Sequence, residues 1–314
     1  MRTIFAGSPP FAVESFAALL GRREPPIALV TAPPRRAGRG RKEAQNPLVA
    51  MAAKAAVPVF RPQKASDPKF LDELSQLKPD ICLVVSFGQL LREEFLNLPR
   101  LGCLNLHASL LPRWRGASPI QAAIQAGDSE TGVCIQKMVL ALDAGDVLAE
   151  RKIAISERET APQLFAKASA VGAELLKEFL DELCGNSLPE GRKQDKGLVT
   201  VCKKILPDHG KVDWTKPAQE IDRLVRAMAG WPCGRTTLPN GEELKIWEAE
   251  PVEGRGQPGE VLASDSKLIV ACGANALLLG KVQRQGKSAM LAEEFLRGIK
   301  IARGDYLGKD KHED

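Results

Sequence analysis

Strand-length apolar runs alternate with helix-length segments through the first half of the chain, and this alternation leaves few ways to fold. Thr3 to Ala6, Ile27 to Thr31, Val57 to Phe60, Ile81 to Val85, Cys103 to His107 and Val133 to Val139 read as strands. Phe11 to Leu20, Pro47 to Ala56, Pro68 to Leu77, Gln89 to Leu96 and Pro119 to Ala126 read as helices, the first capped by Ser8. Such a pattern predicts a parallel sheet covered on both faces, with ligands bound beyond the carboxyl ends of its strands.

An amphipathic segment from Thr160 to Leu183 closes this unit, with Leu164, Ala168, Val171, Leu175 and Phe179 at helical spacing. From Cys184 onward the composition turns to Gly, Asn, Pro, Lys and Asp, which marks a linker. The expected organisation is a domain over 1–184, a linker over 185–205 and a second domain over 206–314, since 314 residues exceed one ordinary core. In the second domain a helix around Ala218 to Met228 precedes short strands at Thr236 to Leu238, Leu244 to Trp247, Gly259 to Leu262, Leu268 to Cys272 and Ala276 to Val282. Short strands between glycine-rich turns predict a small antiparallel barrel.

Hydrophobic residues at 44% and charged residues at 26% exclude a disordered or fibrous chain. A formal charge of +5 permits a polyanionic partner without establishing one. The seven cysteines are scattered, with no Cys-x-x-Cys pair, and read as reduced core residues. The first apolar run is too short for a signal peptide and no later run approaches ~18 residues, so a cytoplasmic location is expected. His107, His209 and His312 are too far apart for a metal-ligand motif, and no metal is expected. No Gly-x-Gly-x-x-Gly follows the first strand, which disfavours a nicotinamide site.

One histidine sits at a strand end in Cys103-Leu104-Asn105-Leu106-His107-Ala108-Ser109. Residues two apart on a strand face the same way, so Asn105 and His107 project together. The loop Leu110-Leu111-Pro112-Arg113-Trp114-Arg115-Gly116-Ala117-Ser118-Pro119 follows, long enough to be costly to order without a use. Leu142-Asp143-Ala144-Gly145-Asp146 lies at the tip of a possible hairpin between Val133 to Val139 and Val147 to Ile153. Taken alone it is an ordinary turn.

In combination, Asn105-Leu106-His107, Ser109-Leu110-Leu111-Pro112 followed by Arg-Trp-Arg-Gly-Ala, and Leu142-Asp143-Ala144-Gly145-Asp146 resemble the signature of the 10-formyltetrahydrofolate-dependent formyltransferases. Gly210-Lys211-Val212-Asp213-Trp214 and Leu244-Lys245-Ile246-Trp247 extend the resemblance, more weakly, into the second domain. It implies a Rossmann-like parallel-sheet formyltransferase domain followed by an OB-like β-barrel. It also implies 10-formyltetrahydrofolate as formyl donor and initiator methionyl-tRNA as acceptor, the chain acting as a monomer.

The same resemblance assigns roles that residue chemistry supports. His107 is the proton-transfer group, since an imidazole titrates near ~6.5. Asn105 donates to the oxyanion of the tetrahedral intermediate. Asp143 orients the ring and favours its charged form. Folate contacts are implied at Phe87, Gly88, Gln89 and Leu90, and at Ser109, Leu110, Leu111 and Pro112.

Between the second strand and the next helix lies Arg35-Arg36-Ala37-Gly38-Arg39-Gly40-Arg41-Lys42, four arginines and a lysine in eight residues. So dense a cationic arm suits phosphate contact. By the resemblance it takes the tRNA acceptor arm, through Arg39 above all and through Arg35, Arg36, Arg41 and Lys42. Lys203, Lys204, Lys211, Arg223 and Arg226 could add a cationic face to the barrel. Two rival readings are the same chemistry on another amine, such as an amino sugar nucleotide, and a non-catalytic RNA-binding protein. The arm speaks against the first, the joint presence of Asn105, His107 and Asp143 against the second.

Overall fold

The computed structural model describes residues 1–34, 46–183 and 187–309, and the backbone of 36–37 and 42–43. The chain divides into two compact units. Met1–Pro119, Glu130–Ala154 and Phe165–Cys202 form the first, Ile120–Ser129, Ile155–Leu164 and Lys203–Asp314 the second.

The first unit is built on strands β1 (Thr3–Gly7) and β2 (Ala28–Val30). The two-residue strands β3 (Arg36–Ala37) and β4 (Lys42–Glu43) form a separate antiparallel pair. Then come β5 (Val59–Phe60), β6 (Ile81–Val85), β7 (Cys103–His107), β8 (Arg115–Gly116), β9 (Glu130–Lys137) and β10 (Val147–Ala154). The main sheet runs β10-β9-β7-β6-β1-β2-β5. From β5 to β7 every pairing is parallel. β1 and β6 are buried along their whole length, as expected of strands with both faces covered.

The strand order reverses between β1 and β6, so the turns that leave them diverge and open a crevice. Ser8 marks it: its hydroxyl donates to the Phe87 carbonyl at 3.1 Å. That corrects the capping expectation. Helix α1 (Ala12–Leu20) begins beyond the two prolines, with Phe11 at its cap and no side-chain bond there. Helix α2 (Pro47–Lys54) is capped by Asn46, and α3 (Pro68–Ser75) by Asp67. Gln89 to Leu96 yields only the single turn α4 (Glu93–Leu96), because the Gln89 amide is spent on the chain at 62–65.

β9 and β10 depart from the parallel pattern. They form an antiparallel hairpin, and β9 runs antiparallel to β7 with Asn105 opposite Gln136 and His107 opposite Cys134. Helix α5 (Pro119–Ala126) precedes β9, and α6 (Ala161–Glu182) follows β10. Gly172 of α6 lies against Leu106, on the face of β7 opposite Asn105 and His107. The stretch that reads as a linker adds β11 (Val201–Cys202), parallel to β8.

In the second unit α7 (Ala218–Ala227) packs on an antiparallel sheet curled into an OB-like half-barrel. Its strands are β12 (Gly234–Thr237), β13 (Glu243–Val252), β14 (Val261–Ala263), β15 (Leu268–Ala271) and β16 (Ala276–Arg284), in the order β12-β13-β16-β15-β14. Register shifts between Ile246 and Ala249 mark bulges in β13, a device that lets a long strand curl. β17 (Met290–Leu291) joins β16, and a short α8 (Ala292–Arg297) follows. The core collects Trp214, Ile221, Val225, Ile246, Val270, Leu277 and Phe295, and the Trp214 indole donates to Thr236 Oγ1 at 2.9 Å. Among the described residues no helix is long and apolar enough to cross a membrane.

Candidate active site

Asn105, His107 and Asp143 meet at the β7–β9 edge of the parallel sheet. Strand geometry explains the first two. Leu104 and Leu106 are buried, and Asn105 and His107 occupy the alternate face. The β9–β10 hairpin then returns Asp143, 38 residues from Asn105 in the chain, to the same place.

His107 is 6% exposed. Its Nε2 lies 3.0 Å from the Trp114 carbonyl oxygen, and its Nδ1 lies 3.8 Å from Asp143 Oδ2. A carbonyl can only accept, so Nε2 carries a ring hydrogen, and in the neutral ring the lone pair is then on Nδ1. Asp143 Oδ2 accepts from the Gly116 N–H at 2.8 Å, while Oδ1 accepts from Gln136 Nε2 at 2.9 Å. Asn105 Nδ2 reaches Oδ1 only at 3.5 Å, the outer limit of a hydrogen bond. Its donor is therefore weakly committed.

The loop after β7 is shaped to deliver these contacts. Trp114 has φ +59° and carries Arg113 over its ring at 4.5 Å. Ser109 Oγ donates to the Arg113 carbonyl at 2.6 Å, and Thr200 Oγ1 accepts from Trp114 N at 2.8 Å. Gly145 is required where the hairpin turns: a Cβ there would lie 1.6 Å from the Lys137 carbonyl oxygen. Gln194, from the linker stretch, donates to the carbonyls of Asp143 at 2.9 Å and Gly145 at 2.7 Å, and its own oxygen accepts twice from Arg115.

Sequence reasoning missed Gln136 and Gln194. Gln136 was visible as a polar residue in an apolar run, but its partner depends on strand register. Nothing in the chain near Gln194 marks it.

The other expected residues are placed as follows. Phe87, Ser109 and Leu111 are buried, Leu111 against Cys134 and Val147. Gln89 holds Ala65 N and the Pro62 carbonyl, and Gly88 has φ +78° with open space where a Cβ would stand. Leu110 lies against Gly132, and Pro112 is buried with its carbonyl accepting from Thr200 N. Leu90 is 79% exposed, and Val139, Leu140 and Leu142 are exposed on the approach to Asp143. Met138 packs against the cluster that holds Phe87, Leu91, Phe95 and Cys103, and its N–H donates to the Cys103 carbonyl.

Arg36 and Lys42 lie on β3 and β4, paired Arg36 with Glu43 and Ala37 with Lys42. Arg35, Arg39 and Arg41 fall outside the described residues. Arg226 does not join a cationic face, since its side chain is 12% exposed and bound to Asp222.

Two thiols adjoin the site. Burial pushes the Cys134 thiol up to about 12 and raises that of Cys202, so neither is a nucleophilic thiolate at neutral pH. The six described cysteines are free and buried. Among the described residues no group of three or more His, Cys, Asp or Glu side chains could hold a metal ion.

An amide, an imidazole and a carboxylate thus stand together at β7 and the β9–β10 turn of a doubly wound sheet, and the chain falls in the class of the formyl transferases. Residues 1–180 match that family, and residues 204–300 match its C-terminal domain. The methionyl-tRNA formyltransferase of Methylococcus capsulatus is 43% identical, with 98% of this chain and 100% of that one covered. That of Pseudomonas fluorescens is 41% identical over 98% and 97%. The chain belongs to the methionyl-tRNA formyltransferase family.

Solved structures share the fold at low identity. An N-formyltransferase from Helicobacter canadensis, in complex with folinic acid and dTDP-3-aminofucose, has a TM-score of 0.67 at 17% identity, covering 90% of this chain and 99% of that one. The methionyl-tRNA formyltransferase from Clostridium thermocellum has a TM-score of 0.55 at 17% identity, covering 81% and 95%.

Proposed function

We propose that this enzyme moves the formyl group of 10-formyltetrahydrofolate to the free amino group of methionyl initiator tRNA, with Asn105, His107 and Asp143 as its reacting group. The observation that carries the reading is the convergence of the three side chains, with His107 Nδ1 3.8 Å from Asp143 Oδ2 and the Asn105 amide beside them.

The amine nitrogen attacks the formyl carbon, and the carbonyl oxygen takes the negative charge. Asn105 Nδ2 turns from its long contact with Asp143 to donate to that oxyanion. His107 takes the ammonium proton at Nδ1, because Nε2 is already protonated toward the Trp114 carbonyl. The resulting imidazolium lies between that carbonyl and the Asp143 carboxylate, and both can accept from its two N–H groups. The oxyanion then collapses to the carbonyl, the C–N10 bond breaks and N10 takes the proton that His107 holds, which leaves tetrahydrofolate, the formylated amine and a neutral ring.

The exposed apolar chains of Leu90, Val139, Leu140 and Leu142 suit a flat heteroaromatic ring, with backbone groups of 87–90 and 109–112 at its polar edge. Arg35, Arg36, Arg39, Arg41 and Lys42 suit the phosphates of the acceptor arm.

The test is to incubate the protein with 10-formyltetrahydrofolate and methionyl initiator tRNA and to measure formylmethionyl-tRNA. His107→Ala should abolish product, and Arg39→Ala should weaken formylation more severely as salt rises. Folate consumed without formylmethionyl-tRNA would leave the chemistry standing and overturn the acceptor.

A further inference from the structure

Gln136 is placed where strand register sets it directly across from Asn105, on the face of the sheet that carries His107. It is 1% exposed. Its Nε2 donates to Asp143 Oδ1 at 2.9 Å, and a carboxylate neighbour settles which end of the amide is nitrogen. The other end is unusual: Gln136 Oε1 is buried and without a hydrogen-bond partner.

A buried amide oxygen left unpaired is destabilising, and an apolar side chain of the same length would remove that cost. The residue is therefore explained by what its N–H does. Oδ1 of Asp143 has two amide neighbours, and Gln136 at 2.9 Å outcompetes Asn105 at 3.5 Å. The Gln136 bond thus fixes the plane of the carboxylate, turns Oδ2 toward His107, and keeps the Asn105 amide from closing on Asp143.

We infer that Gln136 is a positioning residue for formyl transfer, which holds the Asp143 carboxylate for His107 and leaves the Asn105 amide free to meet the oxyanion. This rests on the roles proposed above for those three residues. The ionisable groups around it are His107 on β7, Cys134 on β9, Cys202 on β11 and Asp143 itself. Glu150 on β10 is paired with Arg192, and Arg115 reaches the Asp143 turn through Gln194.

Three variants test it in the intact enzyme: Gln136→Met, Gln136→Glu and Asp143→Asn, each assayed for kcat, both KM values, thermal midpoint and pH profile. Gln136→Met should melt no lower than the parent, lower kcat about 10- to 100-fold, and leave both KM values within about twofold. In Gln136→Glu the introduced carboxylate repels Asp143 at about pH 8. As pH falls it takes a proton and donates to Asp143 in place of the amide, so the ratio of its rate to the parent's should rise at least about fivefold by about pH 6.

A side chain that merely packs would produce a lower midpoint and a flat ratio, and that pattern overturns the inference. So does wild-type kcat in Gln136→Met while Asp143→Asn is inactive, which removes the role of Gln136 alone. Full activity in Asp143→Asn removes the reading of the three residues and the role of Gln136 with it.

Discussion

Gly116→Ala perturbs the backbone that faces the site and can be worked through from the structure. Gly116 has φ +118°, outside the range that residues with a Cβ adopt readily. A Cβ there would lie 2.2 Å from the Cys202 carbonyl oxygen and 3.3 Å from its carbon. Those atoms are backbone, so relief requires β8 to shift against β11. The conformational term alone is about 1–3 kcal/mol. Gly116 N–H also donates to Asp143 Oδ2 at 2.8 Å, and a bond to a charged acceptor contributes about 1.5–3 kcal/mol.

The two terms separate in assay. The first should appear as a lower thermal midpoint, at about 2–4 °C per kcal/mol in a unit of this size. The second should appear as a fall in kcat of about 10- to 100-fold, because the carboxylate that serves His107 loses a fixed donor. A Gly116→Ala enzyme with parental kcat and midpoint would falsify the claim that this N–H and this close approach matter.

Gln194→Ala should loosen the Asp143 to Gly145 turn by removing both of its carbonyl bonds, which lowers kcat/KM about tenfold and speeds amide exchange at 144–146; protection equal to the parent's would count against the clamp. Asp222→Asn should destabilise the second unit by about 2–4 kcal/mol, since Asp222 is 4% exposed and its oxygens each accept at 2.9 Å, one from Arg158 and one from Arg226; an unchanged denaturant midpoint would refute this. Asp80 is held below its ordinary value of 3.8, first by the Arg2 N–H and then by Arg100, against the opposing effect of burial. A carboxylate depressed on folding stabilises at neutral pH, and that contribution is lost as pH falls from the ordinary value through the lower folded one. Asp80→Asn should therefore lower stability at pH 7 and show less further loss on acidification to pH 3 than the parent; parallel curves for the two proteins would contradict the assignment.

Periodicity alone makes much of the fold legible. A strand buried on both faces is apolar almost throughout, so β1 and β6 stand out, and an amphipathic helix repeats its apolar residues, so α6 does too. Where long-range partners decide, local pattern falls short. The Gln89 to Leu96 helix shrinks to one turn because the Gln89 amide bonds chain at 62–65 that its own neighbourhood does not reveal. Ser8 loses its cap for the same reason, drawn to the Phe87 carbonyl 79 residues away.

The site divides along the same line. Asn105 and His107 share a face because strand geometry repeats every two residues, and the turn chemistry of Asp143-Ala144-Gly145 is written in its glycine. Those follow from covalent geometry and sterics and require no partner. The antiparallel register that sets Gln136 opposite Asn105, the chain path that brings Gln194 onto the Asp143 turn, and the Trp114 carbonyl that decides which ring nitrogen of His107 is free are different in kind. Each is a contact between segments far apart in sequence, chosen by the packing of the whole unit, so only the tertiary structure could decide it.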